Sequence, residues 1–194
     1  MITDAVLLIL EVAVMKIRTR FQSHPVEAGI SYLVVMIPNL FHTQYALIKD
    51  SREVVFQFLQ QQVKEKINTP LETFNGKTIA YLYLHIANTY IAWAGNFSLG
   101  GSAEYCDQEE SVDLTRIQEI FKQVDEMMLR FSDQFNNNPL TAVKGYKWPE
   151  KYIETDAYGI FTHVITHEFH HKGQTMTMAR LLGHVPPDTD IMRF

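Results

Sequence analysis

Cysteine is almost absent from this sequence, in which Cys106 is the only one among 194 residues. A single cysteine excludes an internal disulfide and a metal cluster built from several thiolates, and it fits a reducing compartment such as the cytoplasm. Acidic residues on both sides, Glu104 and Asp107 among them, disfavour a thiolate at this position. The sequence therefore does not indicate a cysteine nucleophile.

Excess positive charge and long apolar runs are missing as well. With 17 basic and 22 acidic residues and a net charge of −5, the chain lacks the basic composition of proteins that bind nucleic acids or anionic membranes. The apolar run that begins at Ala5 is interrupted by Glu11, short of the roughly 20 apolar residues of a membrane-spanning helix. Asp4 stands where a secretory signal requires positive charge. We expect a cytoplasmic protein that binds neither nucleic acid nor membrane.

The hydrophobic residues, which make up 46% of the chain, recur at steps of three and four residues in four segments. The spacing predicts helices over residues 39–66, over 77–97, from a cap near 111–115 to 135, and from a cap at 155–156 to Gly183. Residues 140–154 contain Gly145 and Pro149 and are interpreted as a loop, partly extended near Lys147. The pattern predicts an all-α fold, a four-helix bundle.

The first 35 residues do not share a pattern with the rest of the chain. Pro38 suits the first turn of a helix, and Met36, two residues earlier, resembles the start of a separate domain. The sequence predicts an irregular N-terminal extension over residues 1–35 and a four-helix bundle domain over residues 36–194.

The fourth predicted helix carries four of the eight histidines of the chain. His167 and His171 lie four residues apart on an otherwise apolar stripe, which is predicted to face the core. At this spacing two imidazoles can reach one point beyond the helix surface, as a divalent metal requires. A structural role in the core is the alternative, but buried imidazoles without partners are costly. His163 and His170 are predicted to flank the site or to lie on the surface.

A third histidine, His85, belongs to the apolar stripe of the second helix. Taken alone, it is either a structural core residue or a ligand. Bundles build metal sites from side chains on facing helices, which would place His85 opposite His167 and His171. Three neutral imidazoles leave coordination positions open to water or substrate, as in catalytic sites, and they do not choose among Zn, Ni and Fe.

The residues around these histidines resemble the DinB/YfiT-like family of metal-dependent proteins. The similar residues are His85 in L-H-I-A-N-T-Y, the run H-E-F-H-H-K-G-Q that begins at His167, and the following M-A-R-L-L-G, and the resemblance covers residues 39–183. It implies a four-helix bundle, commonly a homodimer, with an open divalent-metal site whose ligands are His85, His167 and His171. Lys172 stands where the family usually has arginine, which leaves the ligands intact.

The resemblance also implies a class of reaction. Characterised relatives include transferases and isomerases that use low-molecular-weight thiols such as bacillithiol or mycothiol, and the family name comes from induction by DNA damage. We therefore expect a small-molecule substrate and a thiol-dependent transferase, hydrolase or isomerase. A stress-response protein that binds a metal or small ligand without catalysis is the alternative. No general acid or base is identifiable, because Gln174 can hydrogen-bond near the metal but cannot titrate.

A zinc peptidase is a further alternative, because the letters H-E-x-x-H describe that class, with Glu168 as the general base. No convincing third ligand follows His171, since His184 and Asp188 come after the end of the helix, and the continuation K-G-Q does not fit the extended peptidase motif. Glu168 lies about 100° from the histidine stripe and is predicted to be a surface or rim residue.

Overall fold

The computed structural model describes residues 39–148 and 150–193. The predicted extension over residues 1–35, together with Met36 and Pro38, lies outside the described residues. The described elements are α1 (Leu40–Phe58), α2 (Ile79–Tyr90), α3 (Leu114–Phe135), β1 (Ala142–Trp148), β2 (Lys151–Asp156) and α4 (Ala157–Leu181). The architecture is mostly helical, as predicted. Residues 140–154, predicted as a loop partly extended near Lys147, are extended over most of their length and form a β-hairpin. None of the described helices has the length and apolar character needed to cross a bilayer.

Each helix begins after a residue whose side chain accepts a hydrogen bond from the backbone amide three residues further along. The four capping residues are Asn39, Thr78, Asp113 and Asp156. Such side chains satisfy amides that the first turn of a helix leaves without a partner. The predicted caps near residues 111–115 and at 155–156 are therefore Asp113 and Asp156.

Two of the helices continue with altered hydrogen bonding. A π-helical segment (Leu59–Val63) and a 3-10 turn (Lys64–Asn68) follow α1, and a second π-helical segment (Ile91–Ser98) follows α2. The first two predicted helices therefore cover the correct residues, although their last turns are not α-helical. A π-helix turns less per residue than an α-helix, so Trp93 stays closer to the face of α2 that carries His85.

The four helices pack around a common core. Both α1 and α2 pack mainly against α3 and α4, so α1 and α2 lie diagonally across the core from each other. Phe161 of α4 is fully buried and stacks on Phe41 of α1 with ring centroids 4.5 Å apart. Phe131 of α3 joins this cluster at 5.8 Å from Phe41. Burying one such side chain contributes about 1.5–3 kcal/mol, so the core holds the helices that carry the histidines in fixed positions.

The hairpin leads from α3 into α4. Strands β1 and β2 are antiparallel, with Ala142 opposite Asp156 and an irregularity between Tyr146 and Trp148. Val143 is buried, and a side chain at Gly145 would lie 3.5 Å from the ring of Phe97. Strand β1 thus packs against the π-helical segment after α2.

Candidate metal centre

His85 of α2 and the pair His167 and His171 of α4 meet at one place. Each offers a ring nitrogen, and these three nitrogens all lie within 4.8 Å of one another. The ring centroids are 5.0 Å apart for His85 and His167, 4.9 Å for His85 and His171, and 4.5 Å for His167 and His171. Small side-chain rotations are enough to bring such nitrogens to the separation of ligands on one ion.

The three histidines are half-buried rather than enclosed in the core. The face of α4 that points into the core carries Val164 and Met178 of the predicted stripe, together with Glu168 and Thr175. Glu168 follows His167 directly, so the centre of the buried face is rotated away from the histidines. The prediction that the stripe faces the core is therefore confirmed for these apolar members and wrong for the histidines, which lie at the edge of the buried face. The cluster lies at the border between core and surface, where a small molecule can reach it.

One hydrogen bond fixes the orientation of His171. Its Nδ1 lies 2.6 Å from Oε1 of Gln174, and Nε2 of Gln174 lies 3.2 Å from Nε2 of His170. An amide oxygen only accepts, so Nδ1 of His171 carries the hydrogen and Nε2 keeps a lone pair. Metal-binding histidines are usually held in this way, with the second ring nitrogen donating to a polar group. Gln174 therefore lies where the sequence placed a hydrogen-bonding residue.

Thr89 links the backbone of His85 to the ring of His167, a role that the sequence did not reveal. Its hydroxyl lies 3.1 Å from the carbonyl oxygen of His85 and 3.0 Å from Nε2 of His167. The hydroxyl has only one hydrogen, so it either donates to Nε2 of His167 or accepts a hydrogen from Nε2, according to the tautomer of the ring. The available signal was the position of Thr89 one turn after His85 on the same stripe.

The surroundings of His167 and His171 favour the neutral form of both imidazoles. The pKa of His167 is lowered to about 4, first by burial and then by the charges that His171 and His85 would carry. Burial also lowers the pKa of His171, although the hydrogen bond with Gln174 acts in the opposite direction. A neutral imidazole is the form that binds a metal, so the pair is ready to receive a cation.

His163 and His170 flank the cluster on the exposed side of α4, as predicted. The ring of His163 lies 5.8 Å from that of His167, and the ring of His170 lies 4.9 Å from that of His171. Neither belongs to the group of three close nitrogens.

Glu168 is not a surface or rim residue, so that prediction is wrong. It is 4% exposed, and its carboxylate accepts hydrogen bonds from Nε and Nη2 of Arg52 at 2.8 and 3.2 Å. The hydroxyl of Tyr90 donates to the same carboxylate at 2.6 Å. Both carboxylate oxygens are therefore occupied inside the core. This arrangement does not fit the general base of a zinc peptidase, which must face the metal and its water.

The contacts of Glu168 extend to all four helices. Arg52 of α1 also donates to Asp125 of α3 at 2.8 Å, and Tyr45 donates to the same oxygen at 2.8 Å. Arg52, Tyr90, Asp125 and Glu168, which we call the four-helix junction, thus supply one side chain from each helix. Because Glu168 lies between His167 and His171 in the chain, the junction fixes the rotation of α4 and with it the direction of both rings.

The junction keeps an ion pair and a neutral tyrosine inside the core. Burial lowers the pKa of Arg52, but the charge of Glu168, its hydrogen bond and the nearby tyrosines together outweigh burial and raise this pKa well above the usual value. The pKa of Tyr90 is raised, mainly by burial and then by the charge of Glu168. The ring of Phe121 lies 4.5 Å from the guanidinium carbon and adds a cation–π contact.

Lys172, next to His171, is also buried and anchors the C-terminal segment. Its ammonium group donates to the hydroxyl of Ser51 at 2.9 Å and to the carbonyl oxygen of Thr189 at 2.6 Å. Ser51 donates to the same carbonyl oxygen at 2.7 Å. The segment after Gly183 is thereby attached to both α1 and α4.

Comparisons with known proteins agree with this arrangement of helices. The sequence profile of the DinB family matches residues 36–194. The chain belongs to the DinB family. A crystal structure of a DinB-like protein from Bacillus cereus ATCC 10987 is similar to this DinB-family chain with a TM-score of 0.57 and 12% sequence identity. The similarity covers 76% of this chain and 94% of that chain, which shows a shared fold. No curated protein matches the sequence.

Proposed function

We propose that this DinB-family protein binds a divalent metal ion, Zn, Ni or Fe, through His85, His167 and His171. The observation that supports this most directly is the convergence of three ring nitrogens within 4.8 Å from two distant segments of the chain. The donor set fits the ion, because these metals accept neutral imidazole and the second nitrogen of His171 is held by Gln174.

The proposed centre serves a thiol-dependent reaction of a small molecule, as a transferase, hydrolase or isomerase. Three protein ligands leave coordination positions open, and the half-buried location gives access from solvent. A divalent ion supplies Lewis acidity, which lowers the pKa of a thiol or water that reaches it. Thr89 and Gln174 hold the rings in place, and the four-helix junction holds α4. A homodimer remains part of the proposal.

Alanine substitutions of the three histidines test the metal site. We expect His85→Ala, His167→Ala and His171→Ala to lose the bound metal, because two remaining ligands hold a divalent ion poorly. The measurement is elemental analysis of protein purified without a histidine tag. His170→Ala is the matched control, since its ring is exposed beside His171, and it should keep the wild-type metal content. Wild-type content in His167→Ala or His171→Ala would contradict the ligand assignment.

Substitution of Gln174 tests the orientation of His171. Gln174→Leu removes the acceptor for Nδ1 of His171, and we expect it to weaken metal affinity about 10- to 100-fold. Gln174→Glu retains an acceptor and should bind at least as tightly as wild type. Competition with a chromophoric chelator measures both variants. An unchanged affinity in the leucine variant would show that the hydrogen bond does not support the site.

A reaction screen separates an enzyme from a metal-binding protein without catalysis. The metal-loaded protein is mixed with low-molecular-weight thiols and electrophilic acceptors, and thiol consumption is followed over time. We expect turnover that is lost in His171→Ala. The absence of turnover with Zn, Ni and Fe across the panel would favour the non-enzymatic binding function.

A further inference from the structure

A continuous row of side chains leads away from the histidine cluster towards the hairpin. The ring of His163 lies 5.8 Å from that of His167, and the ring of Trp93 meets His163 edge-on at 5.1 Å. The ammonium group of Lys147 lies 4.5 Å from the centroid of the Trp93 ring and 3.4 Å from the carbonyl oxygen of Ala92. Trp93 and Lys147 are half-buried and His163 is exposed, so the row borders solvent.

The hairpin determines which of its lysines lies next to Trp93. Along β1, Val143 is buried and Gly145 and Lys147 are half-buried, whereas Lys144 and Tyr146 are exposed. Lys147 points towards the helices, as its contact with Trp93 shows, whereas Lys144 lies on the opposite face of the strand from Val143. Lys144 pairs with Glu154 on the neighbouring strand. The two lysines have the same charge on the same strand, but only Lys147 is next to Trp93.

The position of Lys147 favours an anion. Its stem is partly removed from water, and burial disfavours the charged form of its amine and so lowers its pKa. A neighbouring anion offsets this cost and stabilises the ammonium form. Charge pairs are stronger where water is partly excluded than at an open surface, so an anion beside Lys147 gains more than one beside Lys144.

We propose that Lys147, Trp93 and His163 form a subsite for the carboxylate end of a small thiol whose sulfur reaches the three histidines. This inference rests on the proposed metal centre and names the substrate class as carboxylate-bearing thiols. Lys147 supplies the positive charge, Trp93 offers an apolar face to the carbon chain, and His163 lines the path between Trp93 and His167. A single ammonium group provides a point charge rather than the bidentate fork of an arginine.

Three small thiols that differ in charge test the subsite. The probes are 3-mercaptopropionate, 2-mercaptoethanol and cysteamine, which are anionic, neutral and cationic at their non-thiol ends. Each is titrated into cobalt-substituted protein, and the visible spectrum of the cobalt ion reports the arrival of sulfur. We expect wild-type protein to bind the anionic thiol roughly tenfold more tightly than the neutral one, since a charged hydrogen bond contributes about that much.

The lysine variants supply the matched comparison. Lys147→Gln should weaken binding of 3-mercaptopropionate roughly tenfold and leave binding of 2-mercaptoethanol unchanged. Lys144→Gln makes the same change of charge on the other face of β1 and should leave all three affinities at the wild-type values. Equal affinities for the three thiols in wild-type protein, or identical behaviour of the two lysine variants, would overturn the subsite while leaving cobalt binding intact.

A second measurement does not depend on the metal. Metal-free protein is titrated with propionate, and the indole N–H resonance of Trp93, assigned with Trp93→Phe, is followed by NMR. A shift that is lost in Lys147→Gln but kept in Lys144→Gln supports an anion site at Lys147, and no shift overturns it. Failure of the wild-type protein to bind cobalt would overturn the metal centre alone, so the two proposals fail separately.

Discussion

Replacing Glu168 with glutamine is expected to lower the free energy of unfolding by about 3–5 kcal/mol, the usual cost of breaking a buried ion pair from one side. The side chains of Arg52 and Glu168 are 4% and 5% exposed, so water cannot replace the lost charge. Arg52 keeps its contact with Asp125, which places the expected loss towards the lower end of this range. Urea denaturation with linear extrapolation measures the change.

Glu154→Gln is the control for this experiment. Its carboxylate pairs with Lys144 across the hairpin, but its side chain is 61% exposed, so the same chemical change should cost no more than about 1 kcal/mol. The double variant Arg52→Met/Glu168→Gln should lose less free energy of unfolding than the two single variants lose in total, because each single substitution already breaks the same ion pair. Wild-type stability in Glu168→Gln would show that the junction does not stabilise the fold. If Glu168 were instead the general base of a zinc peptidase, Glu168→Gln would abolish hydrolysis and leave the free energy of unfolding unchanged.

Saturating metal is expected to raise the free energy of unfolding of the wild-type protein by about 4 kcal/mol when free metal is about 1,000 times Kd. The ligands come from α2 and α4, which are far apart in the chain, so an unfolded chain does not hold them together. The metal then binds the folded state preferentially, and its binding energy becomes folding energy. Urea denaturation with added zinc or nickel, and again after chelation, measures the effect.

Two histidine variants show where the stabilising ion binds. His171→Ala should lose nearly all of the metal-dependent stabilisation, while His170→Ala should keep it. The comparison is sharp because the two residues are adjacent in the chain and differ in whether a ring nitrogen joins the cluster. A full stabilisation in His171→Ala would locate the ion elsewhere in the protein.

The helices and the three-histidine cluster were predictable because the signals that encode them are local. Steps of three and four residues mark a helix, and polar residues such as Asp113 and Asp156 mark its first turn. Spacing alone put His167 and His171 side by side. The addition of His85 required only the rule that facing helices of a bundle build sites together, together with the family resemblance.

The histidines of α4 were wrongly predicted to face the core, because two of the residues that do face it are charged. Glu168 and Lys172 look like surface residues in any hydrophobic pattern, yet both are buried. Their partners Arg52 and Ser51 are more than a hundred positions away in the chain, beyond the reach of a periodic pattern. One signal was available, since Arg52 falls on the apolar stripe of the first helix and a buried arginine requires a buried acceptor.

The hairpin was missed although Val143, Tyr146 and Trp148 favour a strand, because other residues break the pattern. Gly145 and two lysines interrupt β1, and strand preference depends strongly on the packing that surrounds it. Here that packing comes from β2 and from the π-helical segment after α2, which periodicity does not reveal either. Lys147, the residue on which the proposed substrate subsite depends, therefore became a candidate only in three dimensions.

The four-helix junction also limits how parts of this protein could be recombined with those of its relatives. A chimera that takes only α4 from this protein contains a carboxylate whose partners, a guanidinium, a phenol and a second carboxylate, come from the three other helices. If one of these partners is missing, the chimera contains a buried charge without a partner in its core. A three-histidine site that is transferred to another protein should therefore be transferred together with the whole four-helix junction, or be redesigned with an apolar residue at Glu168.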